Sequence, residues 1–287
     1  MNSAITLRPR QVATIEKVRQ AIAKCAREGK PKRVLIVAPC GFGKTITSSA
    51  IMGAALDRGN NSIFMADRRI LVGQKSRTLT RCGIPHSVLM AGEEFSHSMV
   101  VVASKETYWS RVIERATLPM VERKLWIIDE AHGQTGRTLT ILKSADVQIG
   151  LTATPIMPNG KGLGGYWQEM VIGATYAELL AENLLVPARV FAPWEIDTSG
   201  LSKSKKEGDW SWAKVEERIN SRELVGDIVD TYCKLGEGRP FACFASGVPH
   251  SIELCREFNE RGIACRHIDA ETPPGDREEA FRAVEAG

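Results

Sequence analysis

The segment "RVLIVAPCGFGKT" (33–45) constrains the fold of this chain more than any other stretch. A run of branched apolar residues stops, and a glycine-containing loop with Gly-Lys-Thr follows at once. From Ala38 the residues fit A-x-x-x-x-G-K-T, a phosphate-binding loop with Ala in place of the usual first Gly. The spacing has a physical cause. Gly41 and Gly43 let the backbone bend so that several N–H groups aim at one phosphate. A helix starting near Lys44 adds the positive end of its dipole. Lys44 brings a full charge to the outer phosphates, and Thr45 brings a hydroxyl for Mg2+. Such a loop belongs between a buried strand and a helix, so it predicts an α/β domain.

The rest of the chain keeps that rhythm. "RVLIVA" (33–38), "NSIFMA" (61–66), "SMVVVAS" (98–104), "KLWIIDE" (124–130) and "VQIGLTAT" (147–154) are nearly continuous apolar runs. Strands covered by helices on both faces read this way, and they belong to parallel sheets. Crossover helices are expected over 44–59 and 68–82. Before the first strand, "RQVATIEKVRQAIAKCAREGK" (10–30) reads as an amphipathic helix ended by Gly29. The expected class is α/β with a doubly wound, mainly parallel sheet.

After residue 155 the character changes. "PIMPNGKGLGGYW" (155–167) is rich in turn formers and reads as a loop. A helix is expected over 174–183, and "VPARVFAPWEI" (186–196) reads as extended. Residues 196–212 read as a polar, Lys-rich linker. The rhythm then resumes with a helix over 213–235, a strand over 240–245, a helix over 249–262 and a strand over 264–269. The expected organisation is a first domain over 1–195, the linker, and the opening of a second α/β unit over 213–287. That second piece is small for an independent sheet. The sequence is therefore expected to be the front part of something longer.

Composition sets bounds. The 287 residues are 43% apolar and 25% charged, an ordinary globular balance. No stretch approaches the ~20 apolar residues of a membrane helix, and "MNSAITLRPRQ" lacks a secretory pattern. The expectation is a cytoplasmic protein without a membrane partner. Seven cysteines, with no C-x-x-C pair, speak against a disulfide framework or a zinc ribbon. The net charge of +4 is compatible with a polyanion partner without requiring one.

A phosphate loop needs a carboxylate to hold its metal, and "LWIIDEAH" supplies one. Asp129 ends an apolar strand, and in a parallel sheet that end shares an edge with the loop after "RVLIV". Asp129 would hold Mg2+ through water, and Glu130 would orient or deprotonate the attacking water. His132 stands one helical step from the carboxylates, placed to relay to a neighbouring element.

"APCGFGKT", "DEAH" and "LTATP", in this order, resemble motifs I, II and III of superfamily 2 helicases and translocases. "LRPRQ" (7–11) looks like the adenine-recognition segment before the phosphate loop. "MADRRILVGQ" (65–74) is similar to motif Ia, and "VVASKET" (101–107) to motif Ib. The segment 241–273 looks like the motif IV region that opens the second domain. "GLTATP" with its Gly-rich successor looks closer to bacterial or phage DNA-type DEAH helicases than to RNA-type DEAD-box proteins.

The resemblance implies a RecA-like domain followed by the start of a second one, ATP and Mg2+ as cofactors, and single- or double-stranded nucleic acid as partner, DNA favoured. Arg8, Gln11, Gly41, Phe42, Gly43, Lys44 and Thr45 would bind ATP. Lys44, Asp129 and Glu130 would be catalytic, with Thr45 and Asp129 serving the metal. His132, Thr152 and Thr154 would couple hydrolysis to domain movement. Arg68, Arg69, Ser104 and Lys105 would touch nucleic acid, with Lys75 and Lys161 as further candidates. Trp210 and Trp212 could stack on a base, or pack against the first domain.

Two departures stand out. Cys40 replaces a small Ser or Thr, and Phe42 a small residue. No Q-x-x-G-R-x-x-R stretch, the motif VI pattern, occurs before Gly287. That motif supplies an arginine finger, so this chain is expected to bind ATP but turn it over weakly. The competing readings are an ATP-gated nucleic-acid or partner-binding module with little hydrolysis, and an ATPase acting on a non-nucleic substrate. The oligomeric state is left open.

Overall fold

The computed structural model describes residues 6–119, 121–133, 136–142, 145–157, 159–190 and 222–286. The chain forms two compact units, Met1–Phe191 and Ala192–Gly287. The linker at 196–212, the part of the expected helix before 222, and Trp194, Trp210 and Trp212 lie outside the described residues.

In the first unit, the apolar runs become strands β1 (Lys32–Val37), β2 (Ser62–Ala66), β4 (Val100–Ser104), β5 (Arg123–Ile128) and β6 (Ala145–Thr152). Two further strands, β3 (Ser87–Leu89) and β7 (Glu169–Ile172), complete a seven-stranded sheet of order β3-β4-β2-β5-β6-β1-β7. Every pairing is parallel. The α/β class and the parallel sheet expected from the sequence are both present.

Alternation along the strands builds a core on each face. Val34 and Ile36 of β1 join Phe64, Ile127, Ile149 and Leu151 on one face, against Val18, Met52, Val72 and Leu79. Those four lie on α1 (Pro9–Arg27), α2 (Lys44–Leu56) and α3 (Arg69–Arg81). Leu35 faces the other way, with Ile63, Met65, Val101, Trp126 and Ile128, beneath Tyr108, Leu163 and Trp167. That face is covered by α4 (Lys105–Tyr108), its π-helical extension Trp109–Glu114, and α5 (Gly136–Ile141). A helix α6 (Tyr176–Ala181) follows the last strand. It opens with a capping box in which Thr175 and Glu178 satisfy each other's backbone N–H groups.

The second unit carries α7 (Arg222–Leu235), α8 (Val248–Glu260) and α9 (Pro274–Ala286). Val229, Leu254 and Phe258 form its small core, with Tyr232 and Phe241 packed against them. The strands expected over 240–245 and 264–269 are not formed: both segments lack a sheet partner among the described residues. Phe244, in the first of them, is 98% exposed. Apolar composition supplies only a propensity, whereas a strand needs a neighbour that completes its hydrogen bonds.

Candidate nucleotide site

The loop after β1 begins with a tie to the sheet: the Ala38 N–H donates to the Thr152 carbonyl (3.0 Å). Gly41 and Gly43 have φ of +85° and +90°, in the left-handed region that glycine alone enters freely. Space is also short. A Cβ at Gly43 would stand 2.5 Å from Gln11 Nε2, and one at Gly41 would stand 2.7 Å from Leu185 Cδ2. Helix α2 starts at Lys44 with Gly43 as its cap. The Lys44 ammonium donates to the carbonyls of Ala38 (2.8 Å) and Pro39 (3.3 Å), and Thr45 is exposed at the mouth of the loop.

Gln11 and Arg8 sit against this loop. Gln11 is 3% exposed. Its Nε2 donates to the Phe42 carbonyl (2.9 Å), and its Oε1 accepts the Arg8 N–H (2.9 Å). Arg8 Nη1 donates to the Gly41 carbonyl (3.0 Å). The Gln11 amide thus ties the start of α1 to the loop, and it keeps one N–H and one lone pair beyond these bonds. Phe42 departs from its expected place. Its ring is 2% exposed and points away from the loop mouth, into a cluster of Ala38, Ala174, Leu179, Leu184 and Leu185. Only its carbonyl serves the loop.

Asp129 follows β5, with its N–H bonded to the Met65 carbonyl (2.9 Å). Burial, and then the Glu130 charge, push its carboxyl above the usual range. The Glu130 N–H, Lys44 and Lys75 pull it back. Asp129 follows the end of β5 and Lys44 the loop after β1, on the same edge of the parallel sheet. Glu130 has φ +48°, an uncommon conformation for a residue with a side chain. Its carboxylate lies 3.2 Å from His132 Nδ1. The same nitrogen is 3.0 Å from Thr152 Oγ1. Thr152 Oγ1 donates to the Thr154 carbonyl (2.9 Å) and accepts the Thr154 N–H (3.0 Å). With its single proton spent on Thr154, the hydroxyl can only accept from histidine. The network therefore assigns the proton to Nδ1, shared between Glu130 and Thr152. Glu130, His132, Thr152 and Thr154 thus form one hydrogen-bonded chain.

The candidate nucleic-acid contacts divide. Arg68 caps α3 and Arg69 begins it; both are exposed. Lys161 is exposed as well. Lys105 is not a free surface charge. It is 7% exposed, pairs with Asp67 (2.9 Å) and donates to the Asp129 carbonyl (3.3 Å). Ser104 is buried beside it. Lys75 is also buried, and donates to the Thr45 carbonyl (3.1 Å), Ser48 Oγ (2.7 Å) and Ser49 Oγ (2.9 Å). Burial pulls its ammonium down to about 7, against the opposing pull of Asp129 and Cys82. A lysine on an amphipathic helix reads as solvated, so nothing in the sequence marked Lys75 as interior.

Comparison with known proteins shows what the chain is similar to. A "51.5 kDa protein" of a Lactococcus phage (isolate 7-9) is 28% identical over 249 residues, covering 85% of this chain and 50% of the phage protein. The "Putative mitochondrial ATP-dependent helicase irc3" of Schizosaccharomyces pombe is 28% identical over 166 residues, covering 54% of this chain and 27% of that protein. The chain thus spans at most half the length of the curated relatives it matches. Among solved structures, a nuclease-deletion mutant of the Type ISP restriction-modification enzyme LlaGI, in complex with a DNA substrate mimic, aligns with a TM-score of 0.49 at 14% identity, covering 98% of this chain and 30% of that one. The family profile described as "Type III restriction enzyme, res subunit" matches residues 4–157, from before α1 to just beyond β6 and so across the whole nucleotide site. With more than half of its length accounted for in this way, the chain belongs to the ResIII family of helicase-type proteins.

Proposed function

We propose that the protein is an ATP-dependent nucleic-acid helicase or translocase, with DNA favoured over RNA. One observation carries this reading. Lys44 and Thr45 follow the end of β1, and Asp129 and Glu130 follow the end of β5, on one edge of an all-parallel sheet, in a chain whose family is that of helicase-type enzymes. The donor set suits Mg2+. That ion keeps several waters and takes one or two carboxylates together with substrate phosphates. A half-buried Asp129 and an exposed Thr45 hydroxyl fit this pattern, and among the described residues no group of three His, Cys, Asp or Glu builds a protein-only cage.

Bound between Thr45 and Asp129, Mg2+ would neutralise charge on the phosphate oxygens. The protein's own groups do the rest. Lys44 exchanges its loop carbonyls for phosphate oxygens, and the loop N–H groups close around the anion. Glu130 orients the attacking water and takes its proton. His132 carries any shift of Glu130 to Thr152, and so to the end of β6. Arg68 and Arg69 grip the phosphate backbone of the track, a contact without sequence preference. The "GLTATP" segment and its Gly-rich successor support DNA.

ATP hydrolysis measured across a panel of DNA and RNA strands tests the reading. DNA should raise the rate, and a rate indifferent to every strand overturns it. Lys44→Ala should abolish nucleotide binding. Glu130→Gln should keep binding and block turnover; normal turnover would remove Glu130 from its assigned role. Wild-type binding of ATP and DNA without turnover would point instead to a nucleotide-gated clamp.

A further inference from the structure

Lys75 lies two turns into α3, yet its side chain runs into the first turn of α2. The residue is 1% exposed. It reaches the Thr45 carbonyl and both hydroxyls of the Ser48–Ser49 pair, and lies over the Phe64 ring at 4.5 Å. Among the described residues no carboxylate stands within ion-pair distance of it. An ion-pair partner is thus not what keeps the charge inside, and all three of its oxygen partners are in or beside the turn that presents Thr45. Arg69 begins the same helix six residues earlier, roughly 9 Å along the axis at 1.5 Å per residue.

We propose that Lys75 is a positioning residue. It fastens α3 to the backbone of Thr45, so that the helix whose first turn meets nucleic acid and the turn that presents the metal-binding hydroxyl move as one body. The link to nucleic acid rests on the function proposed above; the fastening of Thr45 does not. Lys75 touches neither phosphate nor metal and acts through Thr45.

The test is a titration of fluorescent ADP into the full chain, with Mg2+ and again with a chelator. Lys75→Met should leave metal-free ADP affinity within about twofold, while the Mg2+-dependent gain falls by about tenfold, the scale of lost outer-shell support at metal sites. A Ser48→Ala/Ser49→Ala variant, which removes two of the three oxygen partners, should show the same selective loss. An unchanged Mg2+ gain in Lys75→Met overturns the proposal. So does an equal loss with and without metal, which marks a general structural role. A second arm repeats the Mg2+ titration with single-stranded DNA at saturation. DNA should change wild-type affinity, and the change should vanish in Lys75→Met; a change that persists there overturns the link through α3. A wild type indifferent to DNA overturns the nucleic-acid reading and that link together, and the Mg2+ arm still decides whether Lys75 positions Thr45.

Discussion

Ser48 Oγ and Ser49 Oγ donate to the Thr45 carbonyl at 3.0 and 2.8 Å, so each hydroxyl keeps a partner even without the Lys75 ammonium. Replacing Lys75 by methionine, of similar length, therefore removes a buried charge without orphaning a polar atom. Taking a charge out of water is costly unless the site repays it. Burial alone pulls this ammonium down to about 7, so the charge is costly where it stands, and Lys75→Met is expected to leave the first unit at least as stable, read as an unchanged or higher melting temperature of nucleotide-free protein. A lower melting temperature would mean that the ammonium is held for stability after all. The phosphate loop and the "DEAH" residues were legible in the sequence because ligand chemistry fixes their spacing. Lys75 and Lys105 were not, because burial of a long polar side chain depends on a second element that spacing along one helix does not reveal. Phe42 misled for a related reason: apart from Ala38, its ring answers to residues more than 130 positions away.

Those distant residues make α6 and its exit a brace for the loop. Leu179, Leu184 and Leu185 enclose the Phe42 ring, and Arg10 of α1 pairs with Glu178 (2.8 Å) and Glu182. Magnitudes separate the two contacts. Truncating a buried Phe to Ala costs about 3–5 kcal/mol in well-packed cores. Half-exposed ion pairs are worth about 0–1 kcal/mol. Phe42→Ala should therefore lower the melting temperature clearly and weaken nucleotide binding, while Arg10→Ala should move both only slightly. Equal effects would mean that the ion pairs, and not the ring, hold the loop. Elements differed in legibility along the same line. β1, β2, β4, β5 and β6 are buried on both faces and announce themselves as apolar runs. β7, "EMVI", pairs among the described residues with β1 alone and exposes Met170 and Ile172. β3 has three residues. Neither carries enough pattern to be read. Residues 240–245 show the converse, a strand-like composition without a ladder.

At the scale of the whole molecule the charge is slight, +4 over 287 residues, so the proposed nucleic-acid affinity would have to come from a few placed cations and not from a general field. The placed cations that remain exposed are Arg68 and Arg69 at the start of α3, and Lys161 in the loop before β7. Binding through phosphates releases counterions, and for single strands log K falls with log salt by about 0.7 per phosphate neutralised. If both arginines grip the track, Arg68→Ala/Arg69→Ala should reduce the steepness of that plot by about 1.4 and weaken binding alike on every sequence. The same variant should leave ADP affinity unchanged in the absence of DNA, because neither guanidinium belongs to the phosphate loop. Fluorescence anisotropy of labelled single-stranded DNA over a range of salt concentrations reads both slope and affinity. An unaltered slope would place the strand away from α3, and with it the role assigned to this helix would fall, whereas a reduced slope confined to one DNA sequence would turn a backbone grip into base recognition.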